Sequence, residues 1–410
     1  MNDAVLSESA YRHTPLFLDT LTPQPLRSLD NLRVAVVHEW LVNYAGSEKV
    51  VEQILQMFPQ ADIFAVVDFL PDAERGLLGG RTVHTSFIQK LPKARTAYRN
   101  YLPLMPLAVE QFDLSAYDLV ISSSHAVAKG VLTGPAQVHV SYVHTPMRYA
   151  WDLQHQYLRE SGLAFGFKSA LARLSLHYLR LWDSRTVHGV DTFIANSAFI
   201  ARRIRKVYGR DAEVVYPPVD ISRFALRDEK EDFYLAASRM VPYKCMPMIA
   251  EAFAGMPQRR LVLIGDGPDL ERVRTISARA SNITVLGYTS ADVLVDHMGR
   301  ARALIFAAEE DFGITPVEAQ ACGTPVIAYG AGGVLESVLA SEHADQRTGM
   351  FFRHQSADSI CKAVDAFESV GRFTPRTCRE NAERFSIETF RKHLGHVLRS
   401  AMSVSAPKIA

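Results

Sequence analysis

Ala303-Leu-Ile-Phe-Ala-Ala-Glu-Glu-Asp-Phe-Gly-Ile-Thr-Pro-Val-Glu-Ala-Gln-Ala-Cys-Gly-Thr-Pro-Val-Ile-Ala-Tyr329 is the stretch from which the fold can be read. Its first five residues are apolar and predict a buried parallel strand. Thr315-Pro-Val-Glu318 predicts a helix start, with threonine as the cap, proline at the first helical position and glutamate at the third. Gly323 stops that helix, and Pro325-Val-Ile-Ala-Tyr329 begins another strand. A strand, a glycine-containing loop, a helix and a strand place the loop at the carboxyl end of a parallel sheet, where open α/β folds bind ligands. Backbone N–H groups from Phe312, Gly313, Ile314 and Thr315 would face an anion there. Glu310 and Glu318 bracket the loop with seven residues between them. The same two carboxylates also read as a solvated loop residue and the return arm of a capping box.

Working outward, 410 residues exceed one ordinary core, so two domains of similar size are expected. A hydrophobic fraction of 48%, a charged fraction of 22% and a net charge of +1 describe a globular chain with no global attraction to nucleic acid. The four cysteines, Cys245, Cys322, Cys361 and Cys378, lack metal-ligand spacing and read as reduced thiols. No apolar run approaches membrane-spanning length, and Asp3 and Glu8 occupy the region where a signal peptide needs positive charge. A cytoplasmic location is expected, with peripheral attachment to the inner face of the membrane left open.

Residues 1–30 read as an extension without periodicity. Strands are expected at Arg33–Val37, Ile63–Val67, Leu119–Ser123, Val138–Val143 and Phe193–Ser197, with a loop from His38 to Gly46 and an amphipathic helix from Ser47 to Phe58. Tyr216-Pro-Pro-Val-Asp220 reads as a linker, because adjacent prolines resist helix and central strand alike. A second series follows at Phe233–Ser238, Arg260–Ile264, Ile283–Leu286, Ala303–Ala307 and Pro325–Tyr329. The alternation predicts two doubly wound α/β domains, 31–217 and 218–386. Phe390, Leu394, Val397 and Leu398 give a tail helix, 387–403, one buried face.

Chemistry gathers at strand ends. Arg239 and Lys244 follow a strand and precede a helix, placing two cations where a departing diphosphate would need them. Gly265-Asp-Gly-Pro268 lacks a third glycine, and its proline removes an N–H, so nicotinamide or flavin binding is rejected in favour of a tight turn. Gly287, Tyr288 and Thr289 read as a base-binding lip or a plain turn. Gly330-Ala-Gly-Gly333 offers close backbone approach before a helix containing Glu336. In the first half, Gly46 lies between strand and helix, and His144 just past a strand. Between Gly76 and Val109 no acidic residue appears, while Arg81, Lys90, Lys93, Arg95 and Arg99 alternate with aromatic and apolar groups. That pattern suits an anionic membrane or lipid diphosphate, and equally a solvated face. A second basic run, Arg202 to Arg210, reads as a solvated helix.

Taken together, these segments resemble the retaining glycosyltransferases of family 4, with the GT-B architecture of two Rossmann-like domains facing across a cleft. The resemblance spans Leu32 to Leu398. It rests on His38-Glu-Trp-Leu-Val with Gly46-Ser-Glu-Lys, His144-Thr-Pro-Met-Arg-Tyr-Ala-Trp151, Ile194-Ala-Asn-Ser197, Tyr216-Pro-Pro-Val-Asp, Arg239 to Lys244, the Glu310/Glu318 pair and Gly323-Thr-Pro-Val. The His144–Trp151 segment is similar to a bacterial subgroup that includes O-antigen mannosyltransferases using GDP-mannose.

The resemblance implies that Glu310 binds the transferred sugar and Glu318 the nucleotide ribose. Arg239 and Lys244 would hold the diphosphate, amides around Gly313 to Thr315 the sugar and phosphate, and His144 would meet the sugar from the facing domain. Gly46 would admit the phosphate, and the tail helix would cross back to the first domain. Two positions depart from the family pattern: Ala45, where relatives often carry glycine, and Cys245, where glycine commonly follows the lysine.

The expected activity is retaining transfer of a hexose, with mannose from GDP-mannose favoured, to a saccharide acceptor linked to a lipid diphosphate in surface-polysaccharide synthesis. No metal or other cofactor is called for, since no Asp-X-Asp pair appears. A sugar-nucleotide epimerase of the same architecture and a non-catalytic sugar-nucleotide-binding scaffold are the rival readings.

Overall fold

The computed structural model describes residues 29–404 apart from 344 and 372. The extension read at 1–30 lies outside the described residues except for its last two. The first sheet contains β1 (Val34–Leu41), β2 (Asp62–Asp68), β3 (Val83–Thr85), β4 (Leu119–Ser124), β5 (Val138–Val143), β6 (Thr192–Ala195) and β7 (Glu213–Val214). They are hydrogen-bonded in the order β3-β2-β1-β4-β5-β6-β7, all parallel. The second contains β8 (Tyr234–Ala237), β9 (Leu261–Ile264), β10 (Ile283–Gly287), β11 (Ala303–Phe306), β12 (Val326–Tyr329) and β13 (Gly349–Phe352), in the parallel order β10-β9-β8-β11-β12-β13. Each order reverses direction once, between β1 and β4 and between β8 and β11. Those reversals open a crevice at the strands' carboxyl ends.

β1 runs four residues past the expected end at Val37, because Trp40 and Leu41 still pair with Val67 and Asp68 of β2. The loop read from His38 is therefore strand as far as Leu41. Its polar residues are tolerated because they are satisfied. Glu39, fully buried, accepts from the backbone N–H groups of His125, Ala126, Val127 and Ala128. The alternating polar residues of β5 are also buried, and His139 pairs with Ser122 Oγ at 2.8 Å.

The Ile387–Val404 helix crosses back. Phe390, Leu394, Val397 and Leu398 join the core formed by Val34, Val36, Val50 and Ile54 of the first half. Burial of each such side chain contributes about 1.5–3 kcal/mol.

Candidate active site

The Glu310 loop is held by glycines. Gly332 has φ +78°, and a Cβ there would meet the Glu310 carbonyl oxygen at 2.4 Å; one on Gly333 would meet that of Asp311 at 2.3 Å. The Gly333 N–H donates to Glu310 O at 2.8 Å. The close approach expected at Gly330–Gly333 is therefore to the Glu310–Phe312 backbone rather than to a ligand. The helix that follows, Val334–Ser337, has only four residues.

Gly313 at φ +87° turns the chain directly into the Ile314–Ala321 helix. This corrects the expected start. Gly313 takes the capping position, Thr315 and Pro316 are its second and third residues, and no side chain caps it.

A cavity of about 450 Å³ lies between the two reversal points. The second half lines it with Lys244, Glu310, Asp311, Phe312, Gly313, Ile314 and Thr315, the first with Gly46, Ser47, His125, His144 and Arg148. Lys244 pairs with Glu310. Burial, with Arg239 and Arg148 nearby, pushes the Lys244 ammonium down to about 8, while Asp311 opposes. Arg239 is exposed and stands outside the lining, though near enough for its charge to act on Lys244.

Gly46 begins its helix, and a Cβ there would meet Ile314 Cδ1 of the other half at 3.2 Å. Glu318 faces a neighbouring cleft, where Lys49 Nζ reaches its Oε1 at 3.0 Å. The two glutamates thus open onto adjacent cavities. The Gly287–Thr289 turn ends the edge strand β10, away from the cavity lining, with Tyr288 exposed.

On the first-half wall, a buried polar chain reaches the cavity. His38 Nε2 meets Glu48 Oε1 at 3.3 Å, His38 Nδ1 meets Ser123 Oγ at 3.1 Å, and Ser123 Oγ meets His144 Nε2 at 2.8 Å. Glu48 also accepts from the Ala45 N–H at 3.0 Å, which caps its helix. Burial pushes the Glu48 carboxyl up, but hydrogen bonds to His38 and neighbouring groups outweigh it and hold it near 2. Burial, reinforced by the charges of His125 and His38, drives His144 well below the usual imidazole range, so it is neutral.

His125 and Arg148 are cavity residues the sequence reading did not assign. His125 directly follows β4, the same strand-end signal that exposed His144. Arg148 pairs with Asp311 at 3.4 Å, and Arg203 does so at 3.0 Å. Arg203 therefore bridges the halves instead of lying on a solvated helix. Arg81 is also structural, donating to the carbonyls of Leu55, Ala61 and Pro59. Lys90, Lys93, Arg95 and Arg99 are exposed, with the Arg99 guanidinium 4.7 Å from the Tyr98 ring centre. Among the described residues, no group of three or more His, Cys, Asp or Glu is placed to hold a metal ion.

Two family models match, in tandem and on either side of the crevice: "Glycosyltransferase Family 4" over residues 44–223 and "Glycosyl transferases group 1" over residues 220–385. The chain carries both of these glycosyltransferase domains. Solved structures share its two-domain GT-B fold. HepE of Anabaena in complex with UDP is 18% identical with a TM-score of 0.64, over 90% of this chain and 100% of its own. Sucrose-phosphate synthase of Thermosynechococcus elongatus is 15% identical with a TM-score of 0.68, over 91% and 100%.

Among curated relatives, the GDP-mannose-dependent alpha-(1-6)-phosphatidylinositol monomannoside mannosyltransferase of Mycobacterium tuberculosis is 30% identical over 43% of this chain and 52% of its own length. The D-inositol 3-phosphate glycosyltransferase of Mycobacteroides abscessus is 27% identical over 50% of each. The chain spans about half the length of the curated relatives it matches.

Proposed function

We propose that the protein is a retaining glycosyltransferase that moves a hexose from a nucleotide sugar, GDP-mannose in the favoured case, to a saccharide acceptor carried on a lipid diphosphate. One observation carries the reading: Glu310 and Lys244 from one half and Gly46 and His144 from the other line one cavity between the two reversal points. The base and sugar rest on the mannosyltransferase relative, whose name specifies GDP-mannose, while HepE was solved with UDP. The exposed cations Lys90, Lys93, Arg95 and Arg99 support an anionic, lipid-linked acceptor.

In this reading the sugar–phosphate bond breaks through an oxocarbenium-like state. Lys244 and the exposed Arg239 stabilise the departing diphosphate without a metal. Neutral His144, its Nε2 engaged by Ser123, offers Nδ1 to a sugar hydroxyl. Glu310 accepts from further sugar hydroxyls, and Glu318 binds the ribose once released from Lys49.

The carboxylates among the cavity's lining residues, Glu310 and Asp311, both come from the second half, and Asp311 is engaged by two arginines. Glu48 is capping its helix. This arrangement supports same-face attack, with a donor phosphate oxygen taking the acceptor's proton, over a covalent intermediate formed from the opposite face.

A panel of UDP-, GDP- and ADP-sugars scored by thermal stabilisation tests the donor assignment. GDP-mannose at a hundred times its dissociation constant should add about 2.7 kcal/mol of stability. A panel in which no nucleotide sugar stabilises the protein refutes the reading.

A further inference from the structure

The Phe167–Thr186 helix is the longest in the first half, about 30 Å, and is apolar on two faces. Leu179 and Trp182 pack inward against the sheet. Phe167, Leu171, Leu174, Tyr178 and Leu181 recur every three or four residues along the outside. Phe167 is 85% exposed and the other four 44–64%, while Phe165, just ahead of Gly166 at φ +92°, is 93% exposed. Isolated apolar side chains on a surface are ordinary, but six large ones following one another along one side of a helix mark an interaction surface.

The charges beside the ridge indicate its partner. No acidic residue lies between Glu160 and Asp183, and Asp183 is fully buried against Lys129 at 2.8 Å. Lys168 and Arg173 flank the ridge and are exposed. The Tyr98–Leu104 segment, which carries exposed Arg99, packs against this helix. Two copies meeting along such a seam would oppose like charges, and Phe165 projects from a loop outside any helix pair. A helix with Phe and Leu outward, exposed cations beside them and its own single carboxylate, Asp183, buried matches one lying in the head-group plane of an anionic bilayer. Among the described residues, no helix is long and apolar enough to cross a membrane.

We infer that the Phe165–Leu181 ridge is the surface by which this protein lies on an anionic lipid bilayer, its aromatic tip inserted and its cations on the head groups. The inference deepens the proposed transfer to a lipid-linked acceptor and rests on that reading for its purpose, but not for its test.

The test is co-sedimentation with phosphatidylglycerol–phosphatidylethanolamine vesicles and with pure phosphatidylcholine vesicles. It uses the wild type, a Phe165→Ser/Phe167→Ser variant and a Leu171→Gln/Leu174→Gln variant, with light scattering of each alone. Wild type should partition to the anionic vesicles about tenfold more strongly than either variant, and less strongly as salt is added. Equal partitioning of variants and wild type, or equal binding to neutral vesicles, overturns the inference. So does a wild-type dimer that the variants dissociate, which would make a second copy the occupant. Thermal stabilisation by GDP-mannose, read on the same samples, separates the two readings: its presence without vesicle binding rejects only the bilayer surface, and the converse rejects only the donor.

Discussion

Ser123 sets the orientation of the first-half site. Its hydroxyl is the only heavy atom between two imidazoles, and His144 is fixed through it to His38 and Glu48. An ionised carboxylate can only accept, so His38 donates through Nε2. His38 Nδ1 in turn meets the hydroxyl and the carbonyl oxygen of Ser123, at 3.1 and 3.3 Å, and that hydroxyl meets His144 Nε2 at 2.8 Å. Glu48 is therefore a positioning residue, acting on the cavity through three hydrogen bonds.

Its carboxyl, lowered from 4.5 to about 2, contributes stability that is complete above pH 4.5 and lost as pH falls through 2. Glu48→Gln should cost on the order of 3 kcal/mol at neutral pH and flatten the decline between pH 5 and 3. Urea unfolding at pH 7 and pH 3 checks this. A variant with the wild-type pH dependence would show that Glu48 is not the group that titrates.

Residues that follow an apolar run and bear one charge or ring, such as His144, Lys244 and Glu310, were legible in the sequence. Glu318 was legible as a carboxylate on the helix, but not as facing a second cleft, which depends on how the helix is turned. Thr315 misled because the Gly313 turn, rather than a hydroxyl cap, begins that helix.

At the scale of elements, the long strands could be read from their apolar runs to within a few residues. β3, β7 and β13 could not: all three are edge strands, β7 has two residues, and β3 carries exposed His84 and Thr85. Nor could the anchor of the turn after β4. There Lys129 is buried and donates to Asp183 Oδ1 and Asp183 O, each at 2.8 Å. Asp183 also accepts from Trp151 Nε1 at 2.7 Å, tying the long helix to the segment that follows His144. Lys129→Met leaves this carboxylate buried without its cation and should cost about 3–5 kcal/mol. The loss would appear as a lower urea midpoint with an unchanged slope. A midpoint equal to wild type would mean that water reaches Asp183.

For the molecule as a whole, the two sheets are joined by charge as well as by chain. The carboxylate of Glu336 in the second half accepts from the Ala198 and Phe199 N–H groups at 2.7 and 2.8 Å, capping a first-half helix. Asp311 holds Arg148 and Arg203 from across the cleft, and Lys49 holds Glu318. These pairs set the spacing of the two cavity walls while the crossing tail helix limits their drift. Sequence showed the two halves. It could not show these bridges, because each joins residues more than a hundred positions apart.

The central claim is that both walls act on one bound donor. It is tested most directly by steady-state transfer kinetics of His144→Ala, from the first wall, and Lys244→Ala, from the second, using the donor that stabilises the wild type. Each should lower kcat by roughly a hundredfold or more while thermal unfolding shows a folded protein. Wild-type turnover in either variant would contradict the account, because one wall of the cavity would then have no part in transfer.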